Sequence, residues 1–111
     1  MELLLVFQIA ILSDDHLDSI TDQARIRVGA IMQIQGRHEE SVKYFAEVLK
    51  KTNCSECRRT ARLGLIESYE FLGELPMAMQ VAQAIPASEF PAQVKEDLLK
   101  RLGKKSEYYS P

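Results

Sequence analysis

Cys54-Ser55-Glu56-Cys57 is the one spacing in this chain that points directly to chemistry. Two thiolates three residues apart can share a metal ion or form a redox pair. Each use asks for more than this tetrapeptide supplies. A structural zinc site takes four ligands, and no second CxxC is present. His16 and His38 stand far off without a ligand-like spacing. A dimer would bring four cysteines together, which is one route to a full ligand set. A thioredoxin-like site expects a βαβ context, which the surrounding sequence lacks. The simpler reading is two cysteines at a loop or helix start. Cys54 and Cys57 remain weak metal or redox candidates, and no cofactor is expected.

The other titratable groups read as ordinary helix chemistry. His38 follows a glycine turn and is expected to be exposed at a helix start. His16 lies among Asp14, Asp15 and Asp18, which complement the positive end of a helix dipole. Glu39-Glu40 and Glu67/Glu70 read as solvated faces, not as acid/base pairs. There is no phosphate-binding glycine loop, no HExxH and no serine-nucleophile motif. No enzymatic activity is expected.

Those residues need elements to hold them, and the bulk properties bound what the elements are. A chain of 111 residues is one domain with a modest core. With 46% hydrophobic and 27% charged residues, it has the composition of a soluble globular protein. A net charge of −2 argues against general nucleic-acid binding, which depends on neutralising phosphates. Two cysteines are too few for a secreted disulfide scaffold of this length. No apolar run approaches the roughly 20 residues of a membrane span. The opening stretch from Met1 to Leu12 has the length of a signal-peptide core. However, Glu2 occupies the place of a positive n-region, and no small-x-small cleavage site follows clearly. The expected location is the cytoplasm.

Glycine and proline punctuate the periodic segments, which predicts an all-α fold of about six helices. The first covers Glu2 to Leu12. Ser13 is the expected N-cap of the second, which runs to Gly36 or breaks near Ser19 to Thr21. The third spans His38 to Lys51 with Val42, Phe45, Val48 and Leu49 inward, and Asn53 is placed to take a left-handed conformation after it. The fourth spans Glu56 to Leu72 with Ala61, Leu65, Tyr69 and Leu72 inward. Pro76 opens the fifth, Ala78, Val81, Ala82 and Ile85 form its stripe, and Pro86 stops it. Ser88 is the expected cap of a sixth, with Val94, Leu98 and Leu102 inward and Gly103 closing it. Residues 1–103 would form the domain, and 104–111 a disordered tail.

Residues 25–48 and 62–85 repeat each other: an amphipathic stretch, a glycine, then a second amphipathic stretch. Gly36 and Gly73 mark an offset of 37 residues. Such a period signals stacked helical hairpins. With Gly29, Gly36, Ser41 and Phe45 in one copy, and Leu65, Tyr69, Gly73, Ala78 and Ala82 in the other, the chain resembles the tetratricopeptide repeat family. The departures are Arg25 and Arg62 at a position usually large and apolar, Met32 and Ala82 in place of aromatics, and Ile66 in place of a small residue. The longer period places about three extra residues in the loop 53–57. The resemblance covers residues 22–86, with 88–102 as a capping helix, and implies antiparallel hairpins stacked as a short α-solenoid.

It also implies a non-catalytic protein-binding module, an adaptor, scaffold or assembly factor. The concave groove, carried over position by position, comprises Gln23, Ile26, Arg27, Ala30, Gln33 and Ile34 from the first repeat. The second contributes Thr60, Leu63, Gly64, Glu67, Glu70 and Phe71. Such a mixed lining suits an extended peptide or an amphipathic helix, with Arg27, Glu67 and Glu70 setting its polarity. Ile26 and Ala30 stand where some members of the family hold a partner's terminal carboxylate with lysine and asparagine, so that clamp is missing.

Leu3, Leu4, Leu5, Val6, Phe7, Ile9, Ile11 and Leu12 leave almost no polar face. A helix apolar all round is buried on all sides, and a small stack of hairpins offers it only one. The alternative function is therefore a structural subunit that forms a homodimer through Leu3, Leu4, Val6, Phe7 and Ile11. Deleting residues 1–12 is then expected to halve the mass measured by light scattering after size exclusion. An unchanged mass would remove the dimer reading.

Overall fold

The computed structural model describes the backbone of residues 14–109 and the side chains of residues 21–108. The segment read as the first helix, including Leu3, Leu4, Val6, Phe7 and Ile11, lies outside the described residues, as do Ser13, Ser110 and Pro111. Among the described residues the fold is all-α, with five helices and no strand. They are α1 (Asp14–Ile34), α2 (His38–Lys51), α3 (Ser55–Phe71), α4 (Leu75–Gln83) and α5 (Ala92–Tyr109). Each packs on the next as a helical hairpin, and α1 also meets α3. The stretch from Ser19 to Thr21 continues the helix without a break.

Local chemistry ends α1 and α3 in the same way. Gly36 and Gly73 have φ of 78° and 75°, a backbone conformation that costs glycine little and other residues more. At the first turn, Gly36 N–H donates to Gln33 O and Arg37 N–H to Met32 O. At the second, Gly73 N–H donates to Glu70 O and Glu74 N–H to Tyr69 O. Both are Schellman caps, which satisfy carbonyls that the helix end leaves free. The sequence repeat is thus a repeat of backbone hydrogen bonds.

Three expected boundaries are corrected. α2 ends on Thr52 in an extended conformation (φ −74°, ψ 141°), and no described non-glycine residue, Asn53 included, has positive φ. Thr52 N–H donates to Val48 O, and Thr52 Oγ1 accepts from Cys54 N–H, so the α2–α3 turn closes without a left-handed residue. Ser88 lies in a turn fixed by Glu89 N–H to Pro86 O, and the last helix starts only after Pro91. Gly103 does not end that helix, which runs on to Tyr109, so residues 104–109 are helical and not a disordered tail. An interior glycine costs a helix about 1 kcal/mol. Here Arg101 and Lys105, on either side of Gly103, both reach Glu70 on α3 and hold the helix down.

Two apolar clusters share α3. The first joins Phe45 and Val48 to Cys57, Ala61 and Leu65. The second joins Ile66 to Leu75, Ala78, Ala82 and Leu102. Leu65 and Ile66, adjacent in sequence, serve opposite sides of α3. Leu72, expected inward, is exposed at the turn.

At the centre of the first cluster, the Phe45 ring sits between two glycines. A Cβ on Gly29 would lie 2.9 Å from Phe45 Cζ, and one on Gly64 2.7 Å from Cε2 and Cζ. The ring therefore has no room to retreat on either side. Gly64→Ala is expected to lower stability by roughly 1–3 kcal/mol through overpacking, read as a lower urea midpoint. Adding Phe45→Leu should recover part of the loss. A neutral Gly64→Ala would show that the ring is free to move.

Buried polar pairs complete the interior. Ser41, where the resembled family favours alanine, shares a 3.1 Å hydrogen bond with Ser68, and both are buried. Arg62, at a position expected to be apolar, makes a bidentate pair with Glu89, at 2.6 Å from Nε and 3.2 Å from Nη2. The two side chains are only 9% and 6% exposed. Removing one partner leaves the other charge buried and uncompensated. Glu89→Ala is expected to cost about 3–5 kcal/mol by chemical denaturation. An apolar double replacement at Arg62 and Glu89 should recover most of it. A cost near zero for Glu89→Ala would mean that Arg62 reaches water.

Candidate functional site

Leu63, Glu67, Glu70 and Phe71 fall on one face of α3, because steps of three and four residues return to the same side of a helix. Leu98, Arg101 and Lys105 do the same on α5. Between these faces lies an open groove of about 830 Å³, floored by Ile66, Leu75 and Gly73. Leu63 is 40% and Phe71 68% exposed, so the groove presents large apolar side chains to solvent. The Phe71 ring stacks on His38 with centroids 4.5 Å apart and planes 3° from parallel. That contact fixes the ring although most of it is exposed. His38 is partly buried, contrary to the exposed position expected, and its Nδ1 is buried without a hydrogen-bond partner.

Glu70 ties the two walls together. Its carboxylate, 9% exposed, accepts from Arg101 Nη1 at 2.5 Å and from Lys105 Nζ at 3.3 Å. Both cations remain substantially exposed, so the pairs are worth far less than buried ones. Their role is geometric: they set the spacing of the walls. Glu67 lies exposed at the rim. The charges along the groove balance, with two carboxylates against two cations, and its floor is apolar. Among the described residues, no serine, cysteine or histidine lines it.

Among the described residues, Glu47 and Arg37 have clearly shifted ionisations. Glu47 is held below the usual carboxylate range, first by its hydrogen bond from Lys51 and then by that ammonium's charge. Arg37 is pushed up, first by its hydrogen bond to Glu40 and then by the carboxylate charge.

The first-repeat candidates do not line the groove. Ile26 packs on the first core cluster. Gln33 bridges α1 to α3, its Nε2 donating to Gly64 O at 2.9 Å and to Ser68 Oγ at 2.8 Å. Ala30 is half-buried, while Gln23 and Arg27 are exposed on α1, and Ile34 is 86% exposed at its end. Arg27 is not among the residues that line the α3–α5 groove. Thr60 bonds back to Glu56 O within α3, and Gly64 is occupied by its contact with Phe45. Of the second-repeat candidates, Leu63, Glu67, Glu70 and Phe71 come together.

Sequence reasoning missed the α5 wall. Leu98, Arg101 and Lys105 carry a usable signal, a helical stripe ending in a basic pair. Reading Gly103 as a stop removed Lys105 from it.

Cys54 and Cys57 lie at the start of α3, joined by a disulfide with Cα atoms 5.2 Å apart. Oxidised sulfurs are not thiolate ligands, and among the described residues no group of three or more His, Cys, Asp or Glu is placed to hold a metal ion. No described helix is long and apolar enough to cross a membrane. No protein-family model, no curated protein and no solved structure matches this chain.

Proposed function

We propose that this protein is a non-catalytic protein–protein interaction module. In this reading its tetratricopeptide-like hairpins stack as a short α-solenoid, and an amphipathic helix of a protein partner lies in the groove between α3 and α5. The observation that carries it is the groove itself: about 830 Å³, apolar at its floor, with Leu63 and Phe71 exposed along one wall. Monomeric proteins seldom leave large apolar side chains grouped in a concavity unless something covers them. Leu63 and Phe71 are eight residues apart on α3, about 12 Å along its axis. That length matches two turns of a partner helix presenting anchors at i, i+4 and i+7.

The charges refine the partner's character. Arg101 and Lys105 are engaged with Glu70, so the groove has no cationic excess to attract an acidic tail. Glu67 at the rim suits a basic residue flanking the partner's apolar face. The chain would then serve as an adaptor, scaffold or assembly factor.

The test is selective loss of binding. Leu63→Glu and Phe71→Glu place a charge where the partner helix must be dry. Each is expected to weaken capture of the native partner at least tenfold, measured by titration of the recovered partner, with the helical circular dichroism unchanged. Met77→Glu, 39% exposed and outside the groove, should leave capture intact. Retained binding in both groove variants would overturn the reading.

A further inference from the structure

The disulfide at the start of α3 stands apart from the groove and has a different chemistry. Cys54 is the N-cap of α3, with its backbone extended (φ −83°, ψ 113°) and its Sγ accepting from Cys57 N–H at 3.1 Å. Cys54 is partly exposed, whereas Cys57 is 3% exposed within the first core cluster. We propose that Cys54 and Cys57 form a reversible thiol–disulfide exchange site for a small thiol, with Cys54 as the attacking and attacked sulfur and Cys57 as the resolving one.

Three features carry this. First, the bond closes a loop with a sequence separation of only 3, where the stabilisation from restricting the unfolded chain is smallest. Second, other bonds hold the turn. Thr52 N–H donates to Val48 O, Cys54 N–H to Thr52 Oγ1, Arg58 N–H to Cys54 O, and the Arg58 guanidinium to Thr52 O at 2.9 Å. The dithiol form can therefore keep the same backbone. Third, a thiolate on Cys54 would sit at a helix N-terminus, on a backbone N–H and within the positive end of the dipole, an environment that favours the thiolate and the reduced pair.

The exchange balances as follows. A small thiolate attacks Cys54 Sγ, the Sγ–Sγ bond breaks, and Cys57 leaves as a thiolate that takes a proton from solvent. A second small thiolate attacks the small-thiol sulfur of the mixed disulfide. That releases Cys54 as a thiolate and a small disulfide, so two thiols are oxidised as one protein disulfide is reduced. In the oxidising direction, Cys54 attacks the small disulfide, and Cys57 then displaces the bound thiol. Burial bars Cys57 from the first step in either direction.

Incubation with mixtures of reduced and oxidised glutathione, followed by alkylation and mass measurement, tests the proposal. The intact chain is expected to pass from disulfide to dithiol within the series. Cys57→Ser should accumulate one glutathione on Cys54 when exposed to oxidised glutathione. Cys54→Ser should take it up roughly tenfold more slowly, because reactivity follows thiolate character and access. A chain that stays oxidised in reduced glutathione alone would overturn the proposal, as would equal trapping by the two variants. The intact-chain titration decides the matter even where a variant fails to fold.

Discussion

The Phe45 ring between Gly29 and Gly64 sets the separation of α1 and α3, and the rest of the first half is built around that distance. A side chain on either glycine would push the ring aside. With neither present, α2 delivers one aromatic ring into a slot one ring wide. The close approach then lets Gln33 reach across to Gly64 O and Ser68 Oγ, and lets Ser68 meet Ser41. Each of these polar contacts would be lost if the helices stood a residue's width further apart. Buried polar groups without partners are costly, so the hydrogen bonds reinforce the spacing that the glycines permit.

α3 is the element on which both halves depend. Leu65 closes the cluster with α1 and α2, while Ile66 closes the one with α4 and α5. Each apolar cluster is therefore completed by a residue of α3. Arg62 extends the same logic through charge. Its bidentate pair with Glu89 ties α3 to the turn after α4, at a position where an apolar residue would have packed without specifying a partner. The buried pair is weak evidence for added stability; what it fixes is where residues 84–91 lie.

The all-α class, the bounds of α2 and the two glycine turns were legible in the sequence, because each is settled by chemistry within a few residues. Gly36 and Gly73 cap helices through bonds reaching back three and five positions. Pro76 sits in a first turn where its missing N–H costs nothing. The failures share the opposite property. Gly103 carries a stop signal, but a carboxylate 33 residues earlier, Glu70, holds the helix through it. Ser88 has a capping side chain, yet the turn from Pro86 and the pull of Arg62 on Glu89 place it outside the helix. Gln33 was read from the resemblance as lining a concave face on α1, and helical spacing alone could not show what it bonds to. Its hydrogen-bond acceptors lie on a helix more than thirty residues away. Half of the candidate groove was legible because its α3 wall follows from helical spacing alone; the α5 wall depends on tertiary contact.

The groove's position follows from the same physics. Between α1 and α3, glycine allows a backbone approach close enough that one phenylalanine ring fills the space between Gly29 and Gly64. Between α3 and α5 the connection is made by long side chains instead. Arg101 and Lys105 span from α5 to Glu70, and a guanidinium or ammonium on a three- or four-carbon stem keeps the backbones apart where a small residue would let them meet. Leu102 anchors α5 beneath them, fully buried against the second cluster. A helix held at its base by an apolar anchor and at its rim by long ionic arms leaves an opening between the two. Leu63 and Phe71 remain exposed along that opening. Short residues close one interhelical space and long charged residues prop open the other, which leaves Leu63 and Phe71 exposed on the α3–α5 side.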